Sequence, residues 1–503
     1  MIKIFAVDQI READAFTIAN EPVASIDLME RAADACFQWL MTKVSEKKPN
    51  FYIYCGPGNN GGDGLAIARM LSKAQFKVNV CISSDQHLYS ADFNTNLERL
   101  NQSGIRAVDF TTGLQWSPGS GDIIIDALFG SGLSRQIEGV FEQVVDTINK
   151  SEAVVVAIDI PSGLLADRAC SDHSRVVNAD YTLSFQFPKL CFFFRENEQH
   201  TGEWILLPIG LHPQVVAQQH TNNYLVTKQD AQELRKTRSR FSHKGTFGYA
   251  LLIAGSHGKM GAAVLASQAC LRSGTGLLTT HVPVCGYEIL QTAVPEAMVS
   301  MDPCQNDCSR IPDLSYYSAV GIGPGLGRSK EANNTLRLLL QESKVPLVLD
   351  ADALNIIADQ KTWQAFIPAG SILTPHPGEF ERLAGKWNDS FEMMQMLREY
   401  ALKQKVYIVL KGAYTIICTP GGNCFFNSSG NPGMATGGSG DVLTGIITGL
   451  LAQRYSPLDA CLLGVYIHGL SGDLSAAELG YEAVLAGDLV RNLGKAFQSL
   501  NTL

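Results

Sequence analysis

The sequence predicts an α/β protein built as two successive domains, and three observations carry that reading. Short β-branched runs alternate with helical stripes along most of the chain, one polar stretch interrupts the alternation, and glycine clusters follow directly on several strand-like runs. Such alternation marks βαβ units, whose parallel strands need a crossover to return. A length of 503 residues suits two to four domains at about 150 residues each.

In the first half, 51–55 (FYIYC), 78–82 (VNVCI), 123–125 (III) and 154–158 (VVVAI) read as strands. The stretch 212–223 (HPQVVAQQHTNN) then loses apolar periodicity and gains Gln, His and Asn, which places a domain border there. Beyond it the alternation resumes, with strands expected at 249–254, 277–282, 316–322, 345–349 and 406–410 and helices between them. Lys and Arg number 40 against 49 Asp and Glu, a net charge of −9 that disfavours nucleic acid and anionic membrane surfaces as partners. No run approaches the roughly 20 apolar residues of a membrane span, and the first residues lack a signal-peptide pattern, so a soluble cytoplasmic protein is expected. The 12 cysteines are scattered; Cys304 and Cys308 are the one close spacing and lack a second pair, so reduced thiols rather than zinc are expected. The basic run Arg235, Lys236, Arg238, Arg240 and Lys244 is either a solvated face or a phosphate contact.

The first chemistry lies at strand ends. Run 51–55 leads into GPGNNGGDG and then a helical stripe, formally a G-x-G-x-x-G loop able to seat a pyrophosphate at a helix N-terminus. Asp85, after the next strand, reads as ordinary turn chemistry. Run 123–125 ends in Asp126 and is followed by Gly130-Ser131-Gly132; run 154–158 ends in Asp159 and leads to Ser162. Open α/β sheets bind ligands at the carboxyl ends of their strands. Asn60, Asp126 and Ser162 offer oxygen ligands for a hard cation, and Asp159 is placed to accept or donate a proton. The plainer reading, in which each Asp merely caps a turn, suits one such residue better than the set.

The second chemistry is GNPGMATGGSGD, residues 430–441, followed by the helical stripe VLTGIITGLL. Asp441 falls in the first helical turn, where the dipole is expected to favour its carboxylate and leave it able to take a hydroxyl proton. The amides of Gly438, Ser439 and Gly440 are positioned to stabilise a transferring phosphoryl group. Asp350 and Asp352 close another strand and suit Mg²⁺, while His376 and Glu379 share a turn in which His376 is as readily structural as functional.

The motifs NNGGDG, DALFGSGLSR and AIDIPSGL resemble the epimerase domain of the NAD(P)H-hydrate repair enzymes, over residues 1–215. HKGTFGYALLIAGS, LDADALN, LTPHPGEF and GVYIHGLSGD resemble the dehydratase domain of the same family, over residues 225–503. The resemblance implies a Rossmann-like three-layer domain followed by a ribokinase-like α/β domain. It implies an isomerase that interconverts the R and S forms of hydrated NADH or NADPH. It also implies a lyase that uses ADP or ATP, with Mg²⁺, to phosphorylate the S form and expel phosphate. By carry-over, Asn59, Asn60, Gly61, Gly62, Asp63, Gly130, Ser131, Gly132, Leu133, Ser134, Arg135, Gln136 and Asp159 line the epimerase site. Asn60, Asp126 and Ser162 hold potassium there. Ala262, Gly325, His376 and Asp441 meet the hydrate in the dehydratase, and Lys411, Gly412, Ala413, Tyr414, Thr415 and Gly440 meet the nucleotide. Asp159 and Asp441 are the expected catalytic residues, and a homo-oligomer is expected. Two departures from the family pattern are Ala33 and Leu165, neither at a ligand position. Two other readings stand beside this one: a ribokinase-type small-molecule kinase with a regulatory N-terminal domain, and a non-catalytic N-terminal binding module.

Overall fold

The computed structural model describes residues 1–21, 23–44, 48–171 and 174–501. The chain divides into two compact units, one of residues 3–221 and one of residues 1–2 with 222–503. Residues 212–223 are not a plain linker: Pro213–Gln218 is a helix of the first unit, started by the His212 cap and Pro213 and packed through Val215.

The first unit is built on a seven-stranded sheet. Its strands are β2 (Asn50–Cys55), β3 (Lys77–Ile82), β4 (Val108–Asp109), β5 (Ile123–Ala127), β6 (Val154–Ile158), β7 (Tyr181–Phe185) and β8 (Glu203–Leu207), following β1 (Ile2–Lys3) in the chain. The spatial order is β4-β3-β2-β5-β6-β7-β8, every pair parallel. The sequence order reverses beside β2, between β3 and β5, and that is where a doubly wound sheet opens its ligand crevice. Alternation along each strand covers both faces. Phe51, Ile53 and Cys55 face Leu40, Leu65 and Phe93, whereas Tyr54, Ile124 and Val155 face Phe110, Val144 and Ile148. Helices on both faces give the Rossmann-like three layers.

The second unit carries an eleven-stranded sheet in the order β1-β9-β18-β17-β16-β15-β14-β13-β10-β11-β12. Its strands are β9 (Asn223–Val226), β10 (Tyr249–Ile253), β11 (Leu277–Val282), β12 (Met298–Met301), β13 (Ala319–Ile322), β14 (Leu347–Leu349), β15 (Ile372–Leu373), β16 (Tyr407–Leu410), β17 (Ile416–Cys418) and β18 (Cys424–Asn427). The strands from β12 across to β16 run parallel, and β16-β17-β18 is an antiparallel meander. Strand β13 starts at Ala319, three residues later than its apolar run suggests, because Tyr316 is 76% exposed. One face of the sheet packs Ala250, Leu252, Val348 and Val409 on the helices Met260–Arg272, Ser439–Ala452 and Pro457–Leu479; the alternate residues Leu251, Ile253, Leu349 and Ile408 are buried on the other face. Two residues of the largely exposed basic run have structural partners. Lys236 bonds the Gln453 and Arg454 carbonyls and lies over Tyr455, and Arg238 bonds the Gly274 carbonyl and lies over Phe247. Among the described residues no helix is long and apolar enough to cross a membrane.

Candidate active sites

In the first unit, β2 feeds the helix Asn59–Lys73 through a loop held by close backbone contact. A Cβ at Gly61 would stand 1.7 Å from the Gly56 carbonyl oxygen, so the helix seats against the loop only without a side chain there. The glycines predicted to cradle a pyrophosphate thus first serve packing. Asp85 is turn chemistry, its carboxylate accepting the His87 amide at 3.2 Å.

Asp126 lies inside β5 rather than beyond it, with 0% exposure. Its oxygens accept the Ser162 hydroxyl at 2.6 Å, the Ser162 amide at 2.8 Å and the Leu128 amide at 3.2 Å. These partners are neutral, and burial outweighs them, raising the Asp126 carboxyl to about 6. Asn60 is also buried, and its Nδ2 has no hydrogen-bond partner among the described residues. A buried carboxylate with neutral donors, a hydroxyl and an unsatisfied amide suits a weakly hydrated cation, with the amide oxygen exchanged for nitrogen by a flip.

Asp159 follows β6 in the left-handed region, φ 67°, a strained setting that an aspartate tolerates better than most residues. Its Oδ1 accepts Lys189 Nζ at 2.5 Å and its Oδ2 the Ser131 amide at 3.1 Å. Lys189 is 1% exposed and also donates to Ser184 Oγ at 2.9 Å. Burial works against the Asp159 charge, yet Lys189 and Ser131 together hold its carboxyl below the ordinary range. Two more acids lie in the same field. Asp14 is raised to about 6, by burial first and then by Asp159; Asp63 is pushed well up by burial, then Asp159 and Asp14. Gly130 comes close to both Asn60 and Asp159, since a Cβ there would be 3.4 Å from each side chain. Residues Gly132, Ser134, Arg135 and Gln136 form an exposed rim, Gln136 bonded to Ser171, while Leu133 turns into the apolar cluster around Phe110.

In the second unit, Asp350 closes β14 and is 1% exposed. Its Oδ1 accepts Lys411 Nζ at 2.8 Å and its Oδ2 accepts Thr444 Oγ1 at 2.7 Å. Asp352 accepts the Gly327 amide at 2.8 Å and Lys259 at 3.2 Å. Asp350 thus has both oxygens engaged as an internal anchor, whereas these bonds of Asp352 use Oδ2 alone. Lys411 also lies 3.9 Å from Glu379, and although burial opposes its charge, Asp350, Glu379 and Asp441 raise its ammonium above the usual range.

Gly438, at φ 91°, is the N-cap of the helix Ser439–Ala452. Gly440 approaches Lys411, whose Nζ would be 3.2 Å from a Cβ at that position. Asp441 sits in the first turn as expected, but its protonation differs from the expectation. Burial, followed by the Asp350 charge, raises its carboxyl to about 7 although Lys411 acts to lower it. His468 Nε2 donates to the Ser439 carbonyl at 2.9 Å and lies 3.2 Å from its hydroxyl, and burial keeps it neutral, lowered to about 4. Gly325, at φ 58°, faces Ala262, which would be 3.0 Å from its Cβ. His376 caps the helix Pro377–Ala384, its Nδ1 accepting the Glu379 amide at 3.3 Å while its side chain stays 52% exposed. Lys411 to Thr415 form a turn in which the Gly412 amide and the Thr415 hydroxyl bond at 3.3 Å.

Residues 250–495 match the family described as NAD(P)H-hydrate dehydratase, and residues 25–191 match the family described as YjeF-related protein N-terminus. The bifunctional NAD(P)H-hydrate repair enzyme of Moorella thermoacetica is 34% identical over 98% of this chain and 96% of its own. That of Coxiella burnetii is 34% identical over 98% and 99%. The chain belongs to this family. Among solved structures, the ADP/ATP-dependent NAD(P)H-hydrate dehydratase of Bacillus subtilis, co-crystallised with ATP and Mg²⁺, is 32% identical and covers 55% of this chain and 98% of its own, with a TM-score of 0.48. As a repair enzyme, the chain is read as both isomerase and lyase rather than as a small-molecule kinase.

Sequence reading missed Lys189, Asp14 and Thr444. Lys189 carried a signal, as the single charge in FQFPKLCFFF, and Asp14 shares a helix face with the buried Ala13 and Thr17. Thr444 carried none, being one hydroxyl in an apolar helix. The trio His281, Asp302 and Cys308 is the one group among the described residues with metal-ligand spacing. Asp302 anchors a loop instead, accepting the amides of Cys304, Ser309 and Arg310.

Proposed function

We propose that the chain repairs hydrated NADH and NADPH with an epimerase domain at residues 1–215 and a dehydratase domain at residues 225–503. Epimerisation inverts the carbon that bears the added hydroxyl beside the ring nitrogen. Inversion needs an acid to release the hydroxyl as water and a base to activate water on the other face. Asp159, kept ionised by Lys189, is the base, and Asp14, poised near neutrality, is the acid. Lys189 positions Asp159 and touches no substrate. The NNGGD segment and residues 130–136 bind the hydrate. Asn60, Asp126 and Ser162 would hold potassium, which would supply positive charge to the buried carboxylate.

In the dehydratase domain the hydrate lies among Ala262, Gly325, His376 and Asp441, with the nucleotide on Lys411 to Thr415 and Gly440. Mg²⁺ enters with the nucleotide and neutralises its phosphates. Asp441 takes the hydroxyl proton, and the amides from Gly438 to Gly440 meet the transferring phosphoryl group. The ring nitrogen lone pair then expels phosphate, a far better leaving group than hydroxide, and the iminium that forms loses a proton from the neighbouring ring carbon to restore the dihydronicotinamide. A cytoplasmic homo-oligomer acting on small molecules alone completes the reading.

The observation that supports it most directly is that each unit pairs a lysine-held aspartate with a second carboxyl raised toward neutrality. The test is recovery of reduced-nicotinamide absorbance from mixed epimers with Mg²⁺ and ADP or ATP. Full recovery faster than spontaneous epimerisation, lost on omitting nucleotide, supports both activities. No recovery with either nucleotide overturns the dehydratase assignment.

A further inference from the structure

Cys418 closes β17 and Cys424 opens β18, and the two stand opposite each other in the antiparallel pair. The Asn427 amide donates to the Thr415 carbonyl at 3.0 Å, and the Thr419 amide to the Asn423 carbonyl at 2.9 Å. Stepping inward by twos from these bonded pairs leaves 418 and 424 at a position without mutual backbone bonds. The Cys424 amide donates instead to the Asn222 carbonyl at 2.7 Å. At such positions opposed Cα atoms lie about 4.5 Å apart, within the roughly 4.4–6.8 Å that a disulfide spans.

The thiols donate to neighbouring carbonyls, Cys418 to Thr419 at 3.8 Å and Cys424 to Gly422 at 4.0 Å, and each shifts the other's titration, Cys418 up and Cys424 down. Arg398, fixed by the Gly422 carbonyl at 3.1 Å and Asn223 Oδ1 at 2.5 Å, adds its positive charge to the field that lowers the Cys424 thiol. A guanidinium against a thiol favours the thiolate, the attacking form. Both cysteines are 0% exposed, which bars a bulky oxidant, so a small one must enter through local opening of the hairpin.

We propose that Cys418 and Cys424 are a reversible disulfide site, oxidised by a small peroxide. The Cys424 thiolate attacks one peroxide oxygen, the O–O bond breaks, and the hydroxide released takes up a proton as water. The Cys418 sulfur then attacks the sulfenic sulfur; the S–S bond forms, the S–O bond breaks and the thiol proton leaves in a second water. Two thiols and one hydrogen peroxide thus give one disulfide and two waters, and a dithiol reverses the change. The site lies in the hairpin between Lys411–Thr415 and the loop that leads to the Asp441 helix, and the proposal stands whether or not the assigned reactions are correct.

The test uses the full chain treated with hydrogen peroxide, then denatured, alkylated, cut with trypsin and weighed. Residues 412–454 form one tryptic peptide whose only cysteines are these two. The expected product is this peptide lacking two hydrogens and any alkyl group, restored by dithiothreitol. Cys418→Ala is expected to leave a sulfenic acid at Cys424 that dimedone traps, and Cys424→Ala to abolish the product while keeping reduced-state dehydration within about twofold. Recovery of both residues fully alkylated, while the half-buried Cys170, Cys285 and Cys304 oxidise, overturns the proposal, as does linkage of either residue to another cysteine. The wild-type map decides by itself if either variant fails to fold.

Discussion

Each unit sets one lysine among three acids, and the two lysines are held differently. Lys189 is enclosed, its side chain 1% exposed, and it is bonded to Asp159 and Ser184. Lys411 keeps 22% of its side chain exposed, with Asp350 at 2.8 Å, Glu379 at 3.9 Å and the helix start at Gly440 alongside. The first arrangement fixes a charge permanently on one carboxylate. The second leaves an ammonium that an incoming phosphate can reach, while Thr444 continues to hold Asp350. In both, an acid outside the pair is raised: Asp14 to about 6, with Asp63 also pushed up, and Asp441 to about 7. The difference teaches that an inverting site needs a standing base, whereas a phosphoryl-transfer site needs a cation free to meet its substrate.

The sharpest way to break this comparison is Asp441→Asn, expected to lower dehydration by about 10²–10⁴-fold and leave epimerisation intact. Equal loss of both activities would mean a folding defect. Next is Lys189→Met, which strands Asp159 unpaired and is expected to destabilise the first unit by about 3–5 kcal/mol in a urea titration. The surviving epimerisation should then fall as pH drops, because Asp159 becomes able to protonate; an unchanged pH profile would remove Lys189 from the proton chemistry. Gly61→Ala drives a Cβ into the Gly56 carbonyl and is expected to cost about 1–3 kcal/mol with the second unit unaffected. The pH dependence of dehydration comes after these. Since Asp441 must be ionised to accept a proton, the rate should rise with pH through about 7 and level off above it, and a flat profile from pH 6 to 8 would exclude this base. The smallest effect is Lys259→Ala, whose exposed pairing with Asp352 is worth about 0–1 kcal/mol by thermal unfolding.

What the sequence made legible follows the range of the forces involved. Strands such as Val154–Ile158 and the helix opening at Ser439 were readable because their periodicity is local. Placing Asp126, Asp159 and Ser162 at one crevice followed from parallel topology, which puts strand ends together. Protonation was misjudged at Asp441 because its main causes, enclosure and the charge of Asp350, come from 91 residues away as well as from its own helix. The Lys189–Asp159 and Thr444–Asp350 bonds were invisible for the same reason, joining residues 30 and 94 apart. Where the chain is polar and short-ranged signals fade, as at Pro213–Gln218, a helix passed for a linker because only Val215 among its residues is buried.

The left-handed backbone at Asp159 has a genetic consequence. Aspartate codons reach asparagine and glycine by one base change, and these two residues occupy that conformation with least strain. Neither supplies a carboxylate. Under the role proposed for Asp159, drift at this codon would silence the chemistry of the domain by substitutions that its main chain accepts, opening a route from working isomerase to folded, ligand-holding remnant.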